Sequence, residues 1–207
     1  MSKERVLVIP TKSFLEIGSE MRYNQFEGIM NKESRYMDRD LAEKDENFLQ
    51  IIPYCIIFRF TTTMNEPSMF LYQRLKGGSE ARLHAKYSIG IGGHIDEERD
   101  HHDCGMESLK RGAYYEIKEE IGASAVYPPT IASKEFLVYD PSNEVGRVHL
   151  GVLMKAWARS DDIQPKETNK IAGGMVSLSR IEGDPKISEN LENWSKIALN
   201  LCFTKTI

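Results

Sequence analysis

The stretch from Glu107 to Ile121 constrains the fold of this 207-residue chain more than any other. Met106, Leu109, Ala113, Ile117 and Ile121 recur at helical spacing and form an apolar stripe that can pack on a sheet. Beside it, Glu116, Glu119 and Glu120 stand at i, i+3 and i+4, within an arc of roughly 100° on one face. Carboxylates so placed repel one another, and the clustering costs stability unless a cation sits among them. A hard divalent ion such as Mg2+ suits the position, because it takes oxygen ligands and usually keeps waters and substrate phosphate oxygens. The plainer reading is a solvated charged face at Lys118-Glu119-Glu120.

The rest of the chain reads as strands on either side of this helix, a mixed α+β order without regular βαβ alternation. Val6–Ile9 is a short strand, and Tyr36 to Leu49 has helical composition, with Asp45-Glu46-Asn47 as its fraying end or a following turn. Ile51 to Phe60 is β-branched and aromatic, with Pro53 near its start, and a turn at Asn65 to Ser68 leads to a second strand, Met69 to Arg74. Tyr87 to Ile95 reads as a strand broken by glycines, which mark a ligand or another backbone approaching closely. Two strands, Glu135–Tyr139 and Arg147–Trp157, flank a hairpin loop at Asp140 to Gly146. A short strand at Met175–Leu178 and an amphipathic helix from about Ser188 to Leu201 complete the pattern.

Composition narrows the function classes. With 27 Lys+Arg against 31 Asp+Glu the net charge is −4, which argues against sequence-independent nucleic-acid binding and leaves a nucleotide open as a small-molecule ligand. The longest nearly uninterrupted apolar stretch, Ile51 to Phe58, is far short of the roughly 18 residues that span a bilayer. The N-terminus lacks the apolar core of a signal peptide. Cys55, Cys104 and Cys202 are odd in number and far apart, which points to a reducing compartment, and a cytoplasmic location is expected.

Glycines at 92 and 93, then Glu107, then Glu116-Ile117-Lys118-Glu119-Glu120-Ile121-Gly122-Ala123 resemble the Nudix box of the Nudix hydrolases, G-x5-E-x7-R-E-U-x-E-E-x-G-U with U apolar. Four Glu and one Gly at set positions arise by chance in roughly a few of ten thousand chains of this length. Two positions depart from the pattern. Tyr115 stands where the box has Arg, with Arg111 one turn back as a substitute, and thirteen residues separate Gly93 from Glu107 where the box has five. The longer loop is thermodynamically cheap.

The resemblance implies a Nudix-type α/β/α sandwich with a mixed sheet, in which residues 50–207 form the hydrolase domain and residues 1–49 an N-terminal extension packed on it. It implies that Glu116, Glu119 and Glu120 coordinate Mg2+ or Mn2+, that one of them acts as general base on the attacking water, and that the Gly92 carbonyl is a further ligand. Gly93, Glu107 and Gly122 become box residues with structural roles, Gly122 at the helix C-terminus where a left-handed residue is common. The implied reaction is hydrolysis of a pyrophosphate linkage in a nucleoside diphosphate joined to another moiety.

Further residues carry narrower expectations. Arg74, Lys76, Arg82 and Lys86 precede the glycine strand, where cations can meet substrate phosphates, with Arg74 foremost because it ends a strand, and His94 can line the site. Glu144 and Glu167 can supply another carboxylate; Tyr139, His149 and Trp157 can stack a base. His101-His102-Asp103-Cys104 is not read as a zinc site, because adjacent ligands do not easily close a tetrahedral shell. A small-molecule diphosphate is the expected partner, with no membrane or nucleic acid, and a homodimer is open. Two alternatives stand beside hydrolysis: a catalytically impaired nucleotide-binding or sensor module on the same fold, for which Tyr115 and the long loop speak, and an isopentenyl-diphosphate isomerase, against which stands the lack of a readily assigned catalytic cysteine.

Overall fold

The computed structural model describes residues 4–18, 21–60, 66–75, 85–100, 104–132, 136–166 and 168–203. In chain order the elements are β1 (Arg5–Pro10), α1 (Thr11–Leu15), α2 (Tyr23–Glu33), β2 (Arg35–Asp38), α3 (Arg39–Ala42), β3 (Phe48–Arg59), β4 (Ser68–Arg74), β5 (Tyr87–Ser88), β6 (Gly90–Gly92), α4 (Glu97–Asp100), α5 (Met106–Glu120), β7 (Thr130–Ile131), β8 (Leu137–Val138), α6 (Glu144–Arg147), β9 (His149–Trp157), β10 (Ile171–Ser177), α7 (Leu178–Gly183), α8 (Pro185–Ser188) and α9 (Asn193–Phe203). The fold is α+β with a mixed sheet, as expected. The chain forms two compact units, one of Met1–Tyr54, Gly92–Ala113 and Ile131–Met154, the other of Cys55–Ile91, Tyr114–Thr130 and Lys155–Ile207. Among the described residues no helix is long and apolar enough to cross a membrane.

In the first unit, β1 buries Val6, Leu7, Val8 and Ile9 and pairs antiparallel with β2 (Val6↔Met37, Leu7↔Tyr36) and with the start of β3 (Val8↔Gln50, Pro10↔Phe48). These ladders correct the helix expected over Tyr36 to Leu49. Tyr36 to Asp38 are strand, Phe48 already opens β3, and the helical part is the single turn of α3, capped by the Asp38 carboxylate accepting from the Leu41 N–H at 3.3 Å. Cross-strand pairing and burial of Tyr36 outweigh a helix-like composition. Helix α2 has no counterpart in the sequence reading. It buries Phe26, Ile29 and Met30, sets Phe26 edge-on to Phe136 at 5.5 Å, and starts where the Gln25 side chain accepts from the Arg22 N–H at 2.9 Å. The expected hairpin is β8 against β9 (Leu137↔Val152), with the helical turn α6 inside its loop; Glu135 lies outside the described residues.

In the second unit, the end of β3 pairs with β4 (Phe58↔Met69, Arg59↔Ser68), and β4 pairs along its length with β10. Strand β10 starts at Ile171, earlier than the expected Met175, because the ladder continues through Ala172-Gly173-Gly174, residues of low strand propensity that lie close to β4. The Cβ of any side chain at Gly173 would fall 2.2 Å from the Leu71 carbonyl oxygen. The terminal helix expected from about Ser188 to Leu201 starts later, at Asn193, as α9, after a break that follows the short α8. The break exists because Tyr87 of β5 takes the chain as a partner: its N–H donates to the Asn190 carbonyl and its carbonyl accepts from the Glu192 N–H, each at 3.0 Å.

Candidate functional site

The carboxylates of α5 lie on its C-terminal half, within the second unit. Glu119 is exposed, while Glu116 and Glu120 are half-buried beside the apolar positions Ile117 and Ile121, so the helix is anchored by one stripe and presents its acids on the next. Their field reaches the β3 residue Cys55. Burial first, and then the negative charges of Glu116 and Glu120, push the Cys55 thiol well above the usual thiol range. The buried Tyr72 hydroxyl is also pushed up, first by burial, with Arg74 opposing and Glu120 and Glu192 adding to the shift, and it donates to the Gly90 carbonyl at 2.8 Å. Glu116 and Glu120 thus both act on the buried Cys55, and Glu120 on Tyr72 as well. The helix ends at Gly122, whose φ of +92° is accessible to glycine at little cost and whose N–H donates to the Ile117 carbonyl at 2.9 Å.

Arg74 is placed at the end of β4, as expected. Its Nε stands 3.7 Å from Glu192 Oε2, its guanidinium lies 5.5 Å from the Tyr72 ring centre, and its backbone N–H donates to the Lys86 carbonyl at 3.0 Å. Arg74 and Lys86 are therefore brought together by backbone pairing. Lys76, Arg82, His101, His102, Asp103 and Glu167 lie outside the described residues. Tyr115 is half-buried and meets Tyr114 edge-on at 6.0 Å. Trp157 tilts against Phe58 and Phe60 and is 45% exposed.

Gly92, Gly93, His94 and Glu107 belong to the first unit. Gly92 closes β6 directly against β3, the close backbone approach that the glycines of this stretch signal, for its Cβ position is 2.3 Å from the Pro53 carbonyl oxygen. Glu107 sits exposed in the first turn of α5 and accepts from Lys110 Nζ at 2.6 Å, which together with Arg111 holds its carboxyl below the usual range. Tyr139 meets Phe14 edge-on at 5.1 Å, and Glu144 is exposed in α6.

A second constellation forms around His94. The chain from Gly93 runs beside β1, fixed by the Leu7 N–H donating to the Ile95 carbonyl at 3.0 Å, and His94 Nε2 comes to 3.1 Å from His149 Nε2 and 4.0 Å from Glu43 Oε1. Each partner is held by its own element. Asn143 caps α6 by accepting from the Gly146 N–H, which turns the Val145 carbonyl toward His149 Nδ1 at 2.7 Å. Arg39 of α3 is bound by Glu4 at 2.8 Å and reaches Glu43 Oε1 at 3.5 Å. Burial first, then Arg39 and His149, push the His94 imidazole down to a pKa of about 3, so it is neutral at ordinary pH. Among the described residues Glu43, His94 and His149 form a group with the chemistry to hold a metal ion. Sequence reasoning singled out His94 and His149 separately, one to line the site and one to stack a base, but did not join them with Glu43, because no spacing links three residues carried by α3, the segment after β6 and β9.

No family model matches the chain. Protein YmaB of Bacillus subtilis (strain 168) is 33% identical over 190 residues, which cover 85% of this chain and 88% of that protein. The crystal structure of Tm1382, a candidate Nudix hydrolase, superposes with a TM-score of 0.73 at 28% identity, covering 97% of this chain and 99% of the other.

Proposed function

Since the chain belongs to the Nudix hydrolase family and has its α+β fold, we propose that it hydrolyses a pyrophosphate linkage in a nucleoside diphosphate derivative or another organic diphosphate. The observation that carries the reading is the α5 face: three carboxylates at i, i+3 and i+4, two of them half-buried and acting together on Cys55. An all-oxygen donor set of this charge fits Mg2+ or Mn2+. Glu116, Glu119 and Glu120, with the Gly92 carbonyl, are the residues assigned to hold it. When bound, such an ion lowers the pKa of a coordinated water and offsets the charge that develops on phosphoryl oxygens.

The chain's own groups do the rest. One of the three glutamates takes the proton of the attacking water as general base, a role worth about 10²–10⁴-fold in rate. Arg74 and Lys86 meet the substrate phosphates, Arg74 exchanging its contact with Glu192 for a phosphate oxygen. His94 is assigned to the substrate side as a neutral hydrogen-bonding group. Gly93, Glu107 and Gly122 shape the segment that presents the acids. The reading includes a small-molecule diphosphate as the partner, a cytoplasmic location, an N-terminal extension over residues 1–49 on a domain over residues 50–207, and a homodimer as the assembly. Tyr115, in place of the family's Arg, favours a second reading in which the fold binds a nucleotide without turning it over.

The test is a panel of nucleotide sugars, dinucleoside polyphosphates, NADH, ADP-ribose and oxidised nucleotides, assayed for phosphate release with Mg2+ and by calorimetry on the same samples. Release that EDTA abolishes is expected for at least one member. Binding without release across the panel overturns hydrolysis in favour of the sensor reading.

A further inference from the structure

We propose that Glu43, His94 and His149 form a binding site for a first-row divalent transition-metal ion, with the Gln50 amide beside it; the site uses none of the α5 glutamates and shares only His94 with the hydrolase reading, so the loss of one does not entail the loss of the other. The three donor atoms lie within 4.8 Å of one another. Two nitrogens at about 2.0–2.1 Å from a tetrahedral ion stand roughly 3.3 Å apart. The observed separation of 3.1 Å is close to that, and a modest turn of the Glu43 side chain brings its oxygen in from 4.0 Å.

The surroundings set the ligands in the binding form. The Val145 carbonyl accepts from His149 Nδ1–H, which leaves the lone pair on Nε2, the atom that faces His94. A backbone carbonyl on the far nitrogen is the usual partner of a metal-bound imidazole, and Arg39 plays the matching part for Glu43.

Gln50 supplies the independent observation. It is fully buried, and neither side-chain amide atom has a hydrogen-bond partner among the described residues. A buried amide left without partners forfeits the hydrogen bonds it made to water in the unfolded chain, and so is costly. Its position is fixed by the sheet. The bonds from the Gln50 N–H to Val148 and from the Ala158 N–H to Phe58 are spaced as one parallel ladder between β3 and β9, which sets Gln50 opposite His149. On its other side Gln50 pairs with Val8, which packs against Ala42 of α3, the residue before Glu43. Gln50 therefore leaves the sheet on the face that carries His149 and α3. A direct hydrogen bond between the two histidines accounts for the 3.1 Å contact and leaves the amide unexplained; an ion with a bound water accounts for both. Two imidazoles and one carboxylate select zinc, iron, cobalt or nickel over Mg2+ or Ca2+.

The probe is Zn2+ on the full chain stripped with chelator, titrated by calorimetry and against a chromophoric chelator, with Co2+ in parallel for its visible spectrum. With excess Mg2+ present to occupy the α5 acids, one equivalent of Zn2+ is expected, with a cobalt spectrum free of thiolate charge transfer. Glu43→Gln and His149→Gln should each weaken Zn2+ at least tenfold with circular dichroism unchanged, Gln50→Met should weaken it several-fold, and Glu119→Gln should leave it unchanged. Failure of the wild-type chain to retain Zn2+, or equal retention by Glu43→Gln and His149→Gln, overturns the site.

Discussion

A Cβ on Gly92 would lie 2.3 Å from the carbonyl oxygen of Pro53, so β6 and β3 meet here with no room for a side chain. The obstacle is backbone, which cannot swing aside as a side chain would. Gly92→Ala is expected to cost about 1–3 kcal/mol, as overpacking does, and to lower Tm by several degrees. Thermal unfolding followed by circular dichroism checks it; an unchanged Tm would contradict the close approach that also positions the Gly92 carbonyl.

Phe26 is fully buried and edge-on to Phe136 at 5.5 Å, and it anchors the helix α2 within the first unit. Phe26→Ala should destabilise the protein by about 3–5 kcal/mol in urea unfolding. A loss under about 1 kcal/mol would mean that α2 does not pack where the structure places it.

Gln50 gives a prediction of opposite sign. In chelator, with no ion to serve, Gln50→Met removes an amide that has no partner among the described residues and keeps the volume. Stability should hold or rise, by up to about 1–3 kcal/mol. A fall of that size would show that the amide is satisfied in the metal-free protein.

The contrast between these elements shows what is legible in a sequence. Helix α5 is readable because its apolar residues keep strict helical spacing and its acids sit at i, i+3 and i+4; β4 is readable because Met69 to Tyr72 are four consecutive apolar, strand-forming residues. Helix α2 is not, because Phe26, Ile29 and Met30 are sparse among charged and polar neighbours, and burial against Phe136 supplies what propensity does not. Tyr36 to Asp38 read as helix until β1 offers them a ladder, and the break between α8 and α9 depends on Tyr87, about a hundred residues away. The α5 glutamates are a local pattern and so visible. Glu43, His94 and His149 meet only through tertiary structure, and no spacing rule finds them.

The central claim is that the α5 acids carry metal-dependent hydrolysis, and single-turnover rates of four proteins test it most directly: wild type, Glu119→Gln, Glu120→Gln and Glu107→Gln. Glu107 is an exposed partner of Lys110 at the start of α5, so its replacement should leave the melting temperature near wild type and lower the rate far less than either of the other two substitutions. Glu119→Gln and Glu120→Gln should fold normally and lose about 10²-fold or more in rate with Mg2+ saturating. Wild-type rates in both of these variants would contradict the account.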